Sequence, residues 1–204
     1  NQFNCTTKQA SDFEIHTNAN HARVIHALDG EIITKELITH ITTEKGRFLA
    51  DTKKDILTIT VINRYEDAPP VSALIHGFGL SHGAIASCVG HDTHNIIAVG
   101  CDTDSIAKAV NLIIENKGGI SAVGNDREML LPLPFAGIMS GDEGTLVGKQ
   151  YAELDRFTKD VLGSCLGAPY MTLSFMALLV IPDLKLSDKG LFSGKEFRFV
   201  DSFI

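Results

Sequence analysis

His91-Asp92-Thr93-His94-Asn95 puts two imidazoles, a carboxylate, a hydroxyl and a carboxamide into five consecutive positions. Groups of these types can hold a metal, pass a proton or bind the edge of a purine, and their spacing leaves all three open. In an extended segment Asp92 and His94 would share one face, with His91 and Asn95 on the other, because side chains alternate with period two. In a turn, His91 and His94 can converge. The structural alternative is a turn in which Asp, Thr and Asn side chains bond their own backbone, leaving two exposed histidines.

All eight histidines lie in the first 94 residues. His76 and His82 bracket Gly77-Phe78-Gly79-Leu80, and each reads as a structural histidine beside an apolar strand. His16, His21, His26 and His40 have no ligand spacing among themselves. H-x-H and H-E-x-x-H are absent, so no local motif assembles a metal site. The H-x-E and P-C-x-x-C pair of zinc nucleobase deaminases is also absent, as are G-x-S-x-G and a glycine loop ending in G-K-[ST]. Cys88 and Cys101 read as small core residues rather than nucleophiles. Met139-Ser140 and the preceding Leu-Pro repeat fit a pocket wall and helix-entry packing equally well.

The 204 residues carry 18 Lys+Arg against 25 Asp+Glu, a net charge of −7. That balance argues against nucleic acid, which needs clustered cations, and the densest basic spot is only Lys53-Lys54. Hydrophobic residues make up 44%, which excludes disorder and suffices for a core without disulfide or metal staples. The four cysteines form no C-x-x-C pair and read as thiols in a reducing cytosol. No signal peptide is visible, and the most apolar run, Met171–Ile181, is too short to span a membrane. The expected setting is cytoplasmic. Asn1 in place of an initiator Met suggests a piece of a longer chain.

Several elements must position the five-residue segment. Lys53–Arg64 is β-branched or apolar on both faces, as a central strand requires, and Pro69-Pro70 ends it. Val71–Leu80, Gly83–Gly90 and Asn95–Cys101 read as further strands. Asp102 or Thr103 caps a helix over about Ser105–Lys117, closed by Gly118-Gly119. ISAVGND and REMLLPLPFAG then read as a strand, a turn at Asn125-Asp126 and an extended segment. A hint of a duplicated ββ unit lies across 83–101 and 119–137. Helices follow over Asp142–Leu162 and, behind Pro169, over Tyr170–Leu179. The last is apolar all round and expected to be buried on every side. HARVIHAL is strand-like, EIITKELITHI fits strand and helix in part, and the tail KEFRFVDSFI reads as a closing edge strand. These elements predict one compact α+β domain over 1–204, with a mixed, largely antiparallel sheet and three helices, one buried.

The stretches NRYEDAPPVSALIHGFGLSHGAIASCVGHDTHNIIAVG, LLPLPFAGIMS and APYMTLSFMALLVIPDLKLSDKGLF, with DGEIITKELI upstream, occur in order over almost the whole chain. They closely resemble the C-terminal part of bacterial-type adenine deaminases of the amidohydrolase superfamily. The family pattern for the central stretch is roughly GAIASTVAHDSHNIIVVG, from which Cys88, Gly90 and Thr93 depart. Upstream, the family commonly has an Arg-His pair where this chain has Arg64-Tyr65.

The resemblance implies hydrolysis of adenine to hypoxanthine and ammonia in purine salvage. It also implies an N-terminal (β/α)₈ barrel whose H-x-H helps hold manganese or iron, with no metal or other cofactor in the present residues. On that reading His91, Asp92 and His94 are the catalytic candidates and approach the barrel mouth, while Asn95 and Ser87 line a substrate pocket. The implied partners are adenine, the barrel and further copies of the chain, with neither nucleic acid nor membrane. Two other classes remain: a purely structural or oligomerisation domain, and an independent small-molecule-binding or metal-binding domain without catalysis.

Overall fold

The computed structural model describes residues 1–204 throughout. β1 (His21–Ala27) and β2 (Thr34–His40) come first, then a ribbon of β3 (Thr43–Glu44) and β4 (Arg47–Phe48). β5 (Leu57–Ile62), β6 (Val71–His76), β7 (Ala84–Ser87) and β8 (Ile96–Gly100) lead into α1 (Thr103–Glu115). The hairpin of β9 (Gly119–Gly124) and β10 (Arg127–Pro132) is followed by α2 (Gly144–Arg156), a π-helical turn (Phe157–Val161) and α3 (Pro169–Phe175). β11 (Leu184–Ser187), β12 (Gly190–Ser193) and β13 (Arg198–Phe199) close the chain.

Eight strands form one sheet in the order β10-β9-β7-β8-β5-β6-β1-β2, and β11-β12-β13 form a smaller one. Only β1 and β6 pair in parallel; the other pairings are antiparallel. This is the expected α+β class with a mixed, largely antiparallel sheet and three helices.

β5 lies between β6 and β8 and is buried along its whole length, as its two-sided pattern requires. Leu57, Ile59 and Val61 face a core completed by Leu154, Phe157, Leu173 and Leu186, from α2, the π turn, α3 and β11. Ile62, with Ala86 and Ala98 of the neighbouring strands, faces the opposite core, which Ile106, Val110 and Ile113 of α1 fill together with Phe13. The sheet is therefore covered on both sides, which suits strands that are apolar on both faces.

Local chemistry explains the boundaries. Asp102 accepts a hydrogen bond from the Ser105 amide at 2.7 Å and so caps α1. Asn125 and Asp126 both have positive φ, as a tight two-residue hairpin needs. EIITKELITHI resolves as β2, and the strand pairs flanking α1 meet where β7 pairs with β9. β6 stops at His76, short of the expected Leu80, because Gly77 and Gly79 turn away with positive φ and donate to the Asp55 carboxylate. α3 is shorter than expected and ends at Phe175. Its burial is also incomplete: Tyr170 and Leu173 are buried, whereas Met171 is 55% exposed. An apolar side chain on a short helix can lie at its rim, a distinction periodicity does not make. In the tail only Arg198–Phe199 pairs along β12, as an edge strand, and Phe203 bridges back to Ala22. No helix is long and apolar enough to cross a membrane.

Candidate functional site

His91–Asn95 connects β7 to β8. The connection is a turn: the His94 amide donates to the Gly90 carbonyl at 2.7 Å, and His94 takes a positive φ of 54°. The Asn95 amide adds a bond to Thr93 Oγ1 at 3.4 Å, so the side-chain-to-backbone bonding expected of a structural turn is present in part. The His91 and His94 ring centres lie 6.2 Å apart.

α3 grips one side of this turn. The His91 amide donates to the Ser174 carbonyl at 3.0 Å, and the His91 ring lies 4.9 Å from the Phe175 ring. Beside them is a cavity of about 320 Å³ lined by Ser87 and Val89, His91, Ile120 of β9, Tyr151 of α2, and Tyr170, Met171 and Ser174 of α3. Apolar walls with a few polar groups are the usual makeup of a small-molecule site. Burial raises both tyrosine hydroxyls above their ordinary range, so they stay protonated. Tyr170 is engaged with Thr158 and the Ser121 carbonyl.

The other side of the turn meets Arg64, which is buried. Asn95 is buried too, and its Oδ1 accepts from the Arg64 amide at 3.3 Å. The structure thus brings Ser87 and His91 to one cavity, leaves Asp92 and Thr93 exposed on the crest, and turns Asn95 away from the cavity lining. His94 is held below the ordinary histidine range by burial first, then by Arg64 and His91, with Asp92 opposing. Its neutral imidazole therefore prevails at neutral pH. Both His94 Nδ1 and Arg64 Nε are buried without a hydrogen-bond partner.

Sequence pattern alone does not single out Arg64. The only signal was its place after an apolar strand, in the pair that departs from the resembled family. The remaining histidines sit elsewhere: His26 pairs edge-on with His76 at 4.6 Å, and His21 with His40 at 5.6 Å. Burial lifts the Cys88 thiol, and lifts Cys101 to about 12, so neither supplies a thiolate nucleophile at neutral pH. No three His, Cys, Asp or Glu side chains gather closely enough to hold a metal ion. The donor set of this chain does not fit a manganese or iron centre of its own.

Fold and site together define an α+β domain with a polar turn and an apolar cavity at one end of its main sheet. The profile of the adenine deaminase C-terminal domain matches residues 31–198, and the chain belongs to that family. Among curated relatives, an adenine deaminase of a Sulfurovum species is 54% identical over 202 residues, covering 99% of this chain and 36% of that protein. One from Salinibacter ruber is 44% identical over 205 residues, 100% and 37%. One from Methanothermobacter thermautotrophicus is 47% identical over 176 residues, 86% and 32%. The chain spans about a third of the length of these relatives.

Proposed function

We propose that this chain is the C-terminal domain, single over 1–204, of an enzyme that hydrolyses adenine to hypoxanthine and ammonia in cytoplasmic purine salvage. The family match over residues 31–198, with relatives named adenine deaminase, carries the reading. The metal, manganese or iron, is then held by residues of an N-terminal barrel. Adenine is the substrate, and further copies of the whole protein complete the assembly.

In this reading the domain borders the active site through the His91–Asn95 turn. Deamination takes a proton from water and delivers one to the departing amine. A neutral His94 suits the first task, and His91 at the cavity wall suits relay to the second. Asp92, on the crest, orients or relays, and Ser87 helps shape the pocket floor. Asn95 contributes by holding the turn rather than by touching the base. The structural alternative draws on the backbone bonds within the turn.

The test is an adenine assay on the full-length protein and on residues 1–204 alone. Turnover by the full-length protein and none by the isolated chain is the expected outcome. Turnover by the isolated chain, with full-length contamination excluded, refutes the division of labour.

A further inference from the structure

Burying a cation without a counter-ion is costly. Arg64 is buried, yet none of the chain's ion pairs includes it. Its guanidinium lies 5.0 Å from the Phe3 ring centre and 4.8 Å from that of Tyr65. Nη1 donates to the Ala136 carbonyl at 2.8 Å and Nη2 to the Tyr65 hydroxyl at 3.0 Å. The hydroxyl donates onward to the Thr93 carbonyl, at the centre of the polar turn, at 2.7 Å. The backbone has made room for this side chain: a Cβ on Gly137 would stand 2.1 Å from Arg64 Nη1.

If the position served packing alone, an apolar side chain would fill it at lower cost. What an arginine adds is a planar fork of donors with fixed directions. Here one arm of the fork is anchored to the Ala136 carbonyl, and the other, through Tyr65, reaches the turn that carries His91 and His94. α3 holds the same turn from the far side through Ser174 and Phe175.

We propose that Arg64 and Tyr65 are positioning residues: a donor chain that fixes the His91–Asn95 turn opposite α3 and sets the His94 imidazole in place for proton transfer. The proton-transfer half rests on the deaminase reading above; the positioning half does not.

Tyr65→Phe in the full-length protein removes the donor to Thr93 and keeps the ring on Arg64. Arg64→Lys keeps the charge and loses the fork. For each, kcat and KM with adenine are measured, together with hydrogen–deuterium exchange of the peptide spanning 89–96. The expected result for Tyr65→Phe is a kcat reduced by about tenfold or more with KM within about twofold, since small misplacement of a reacting group is costly in rate. The 89–96 peptide should exchange faster while the β5 peptide is unchanged. Arg64→Lys should do the same where it folds, and Tyr65→Phe decides where it does not. Unchanged exchange in Tyr65→Phe overturns the positioning role. Faster exchange with unchanged kcat overturns the proton-transfer role. If the unmodified full-length protein does not turn over adenine, the deaminase reading fails by itself, and exchange alone decides the positioning claim.

Discussion

His91 and Asp92 are neighbours with different structural duties, and that difference makes their roles separable. The His91 backbone is tied to α3 and its ring packs against Phe175. Asp92 is exposed. In the full-length protein, His91→Ala should lower kcat/KM by about tenfold or more, because loss of a positioned acid–base group typically costs about 10²–10⁴-fold. The lost ring packing should also destabilise the fold by about 0.5–2 kcal/mol. Asp92→Asn should leave stability within about 0.5 kcal/mol, as surface substitutions usually do, so any loss of turnover there is chemical. Paired melting and kinetic measurements check both; a His91→Ala protein with altered melting and intact kinetics would make the turn structural. The density of polar groups in this turn was legible in the sequence, since it needs only adjacency. The division of labour was not. Asn95 is spent on an amide 31 positions away, and Arg64 is held by Phe3 and Ala136, contacts no local pattern encodes.

Among the elements, those whose signal is carried by their own residues were readable. β5 announces itself by apolar or β-branched side chains on both faces, and α1 by its Asp102 cap and single stripe. α3 departs from the all-round burial its pattern predicts, because a short apolar run does not say which side chain lies at the rim. β11 carries a feature that sequence pattern conceals altogether: Lys185 is fully buried, and its Nζ donates to the Ile32 carbonyl at 2.7 Å. Desolvation lowers its pKa to about 8 from the ordinary 10.5. Between these values the unfolded chain binds the extra proton and the folded chain does not, so stability rises with pH across that window. Below about 8 both states are charged and the full penalty applies. Lys185→Met should therefore stabilise the protein at pH 7, by about 1–3 kcal/mol if the freed Ile32 carbonyl, on an exposed residue, finds water. The advantage should shrink as pH climbs toward 10.5. Denaturant midpoints at pH 7 and pH 10 test this, and an equal gain at both would place the cause in packing rather than in charge.

At the scale of the whole molecule, two cores on either face of one sheet account for the interior, while the outside keeps several large apolar side chains. Met171, Ile32, Phe135, Met139 and Val180 are exposed. Met171 belongs both to the cavity beside His91 and to a second hollow of about 250 Å³ that includes Ile32 and Phe175. Exposed apolar surface that runs from one hollow into the next is the kind of patch that drives association. The chain on its own is therefore expected to self-associate, as a dimer, through the rim of α3. Two forces compete in that contact. Apolar burial favours it, while a net charge of −7 on each copy opposes it. Added salt screens the repulsion and leaves the apolar term in place, so association should strengthen as ionic strength rises. An interface made of ion pairs would respond the opposite way. Met171→Lys puts a charge at the centre of the patch and should return the chain to monomer without altering its core. Sedimentation of both proteins at low and high salt measures this. A clean monomer at high concentration, or a dimer that salt dissolves, would remove α3's exposed rim from the account of how this domain meets its neighbours.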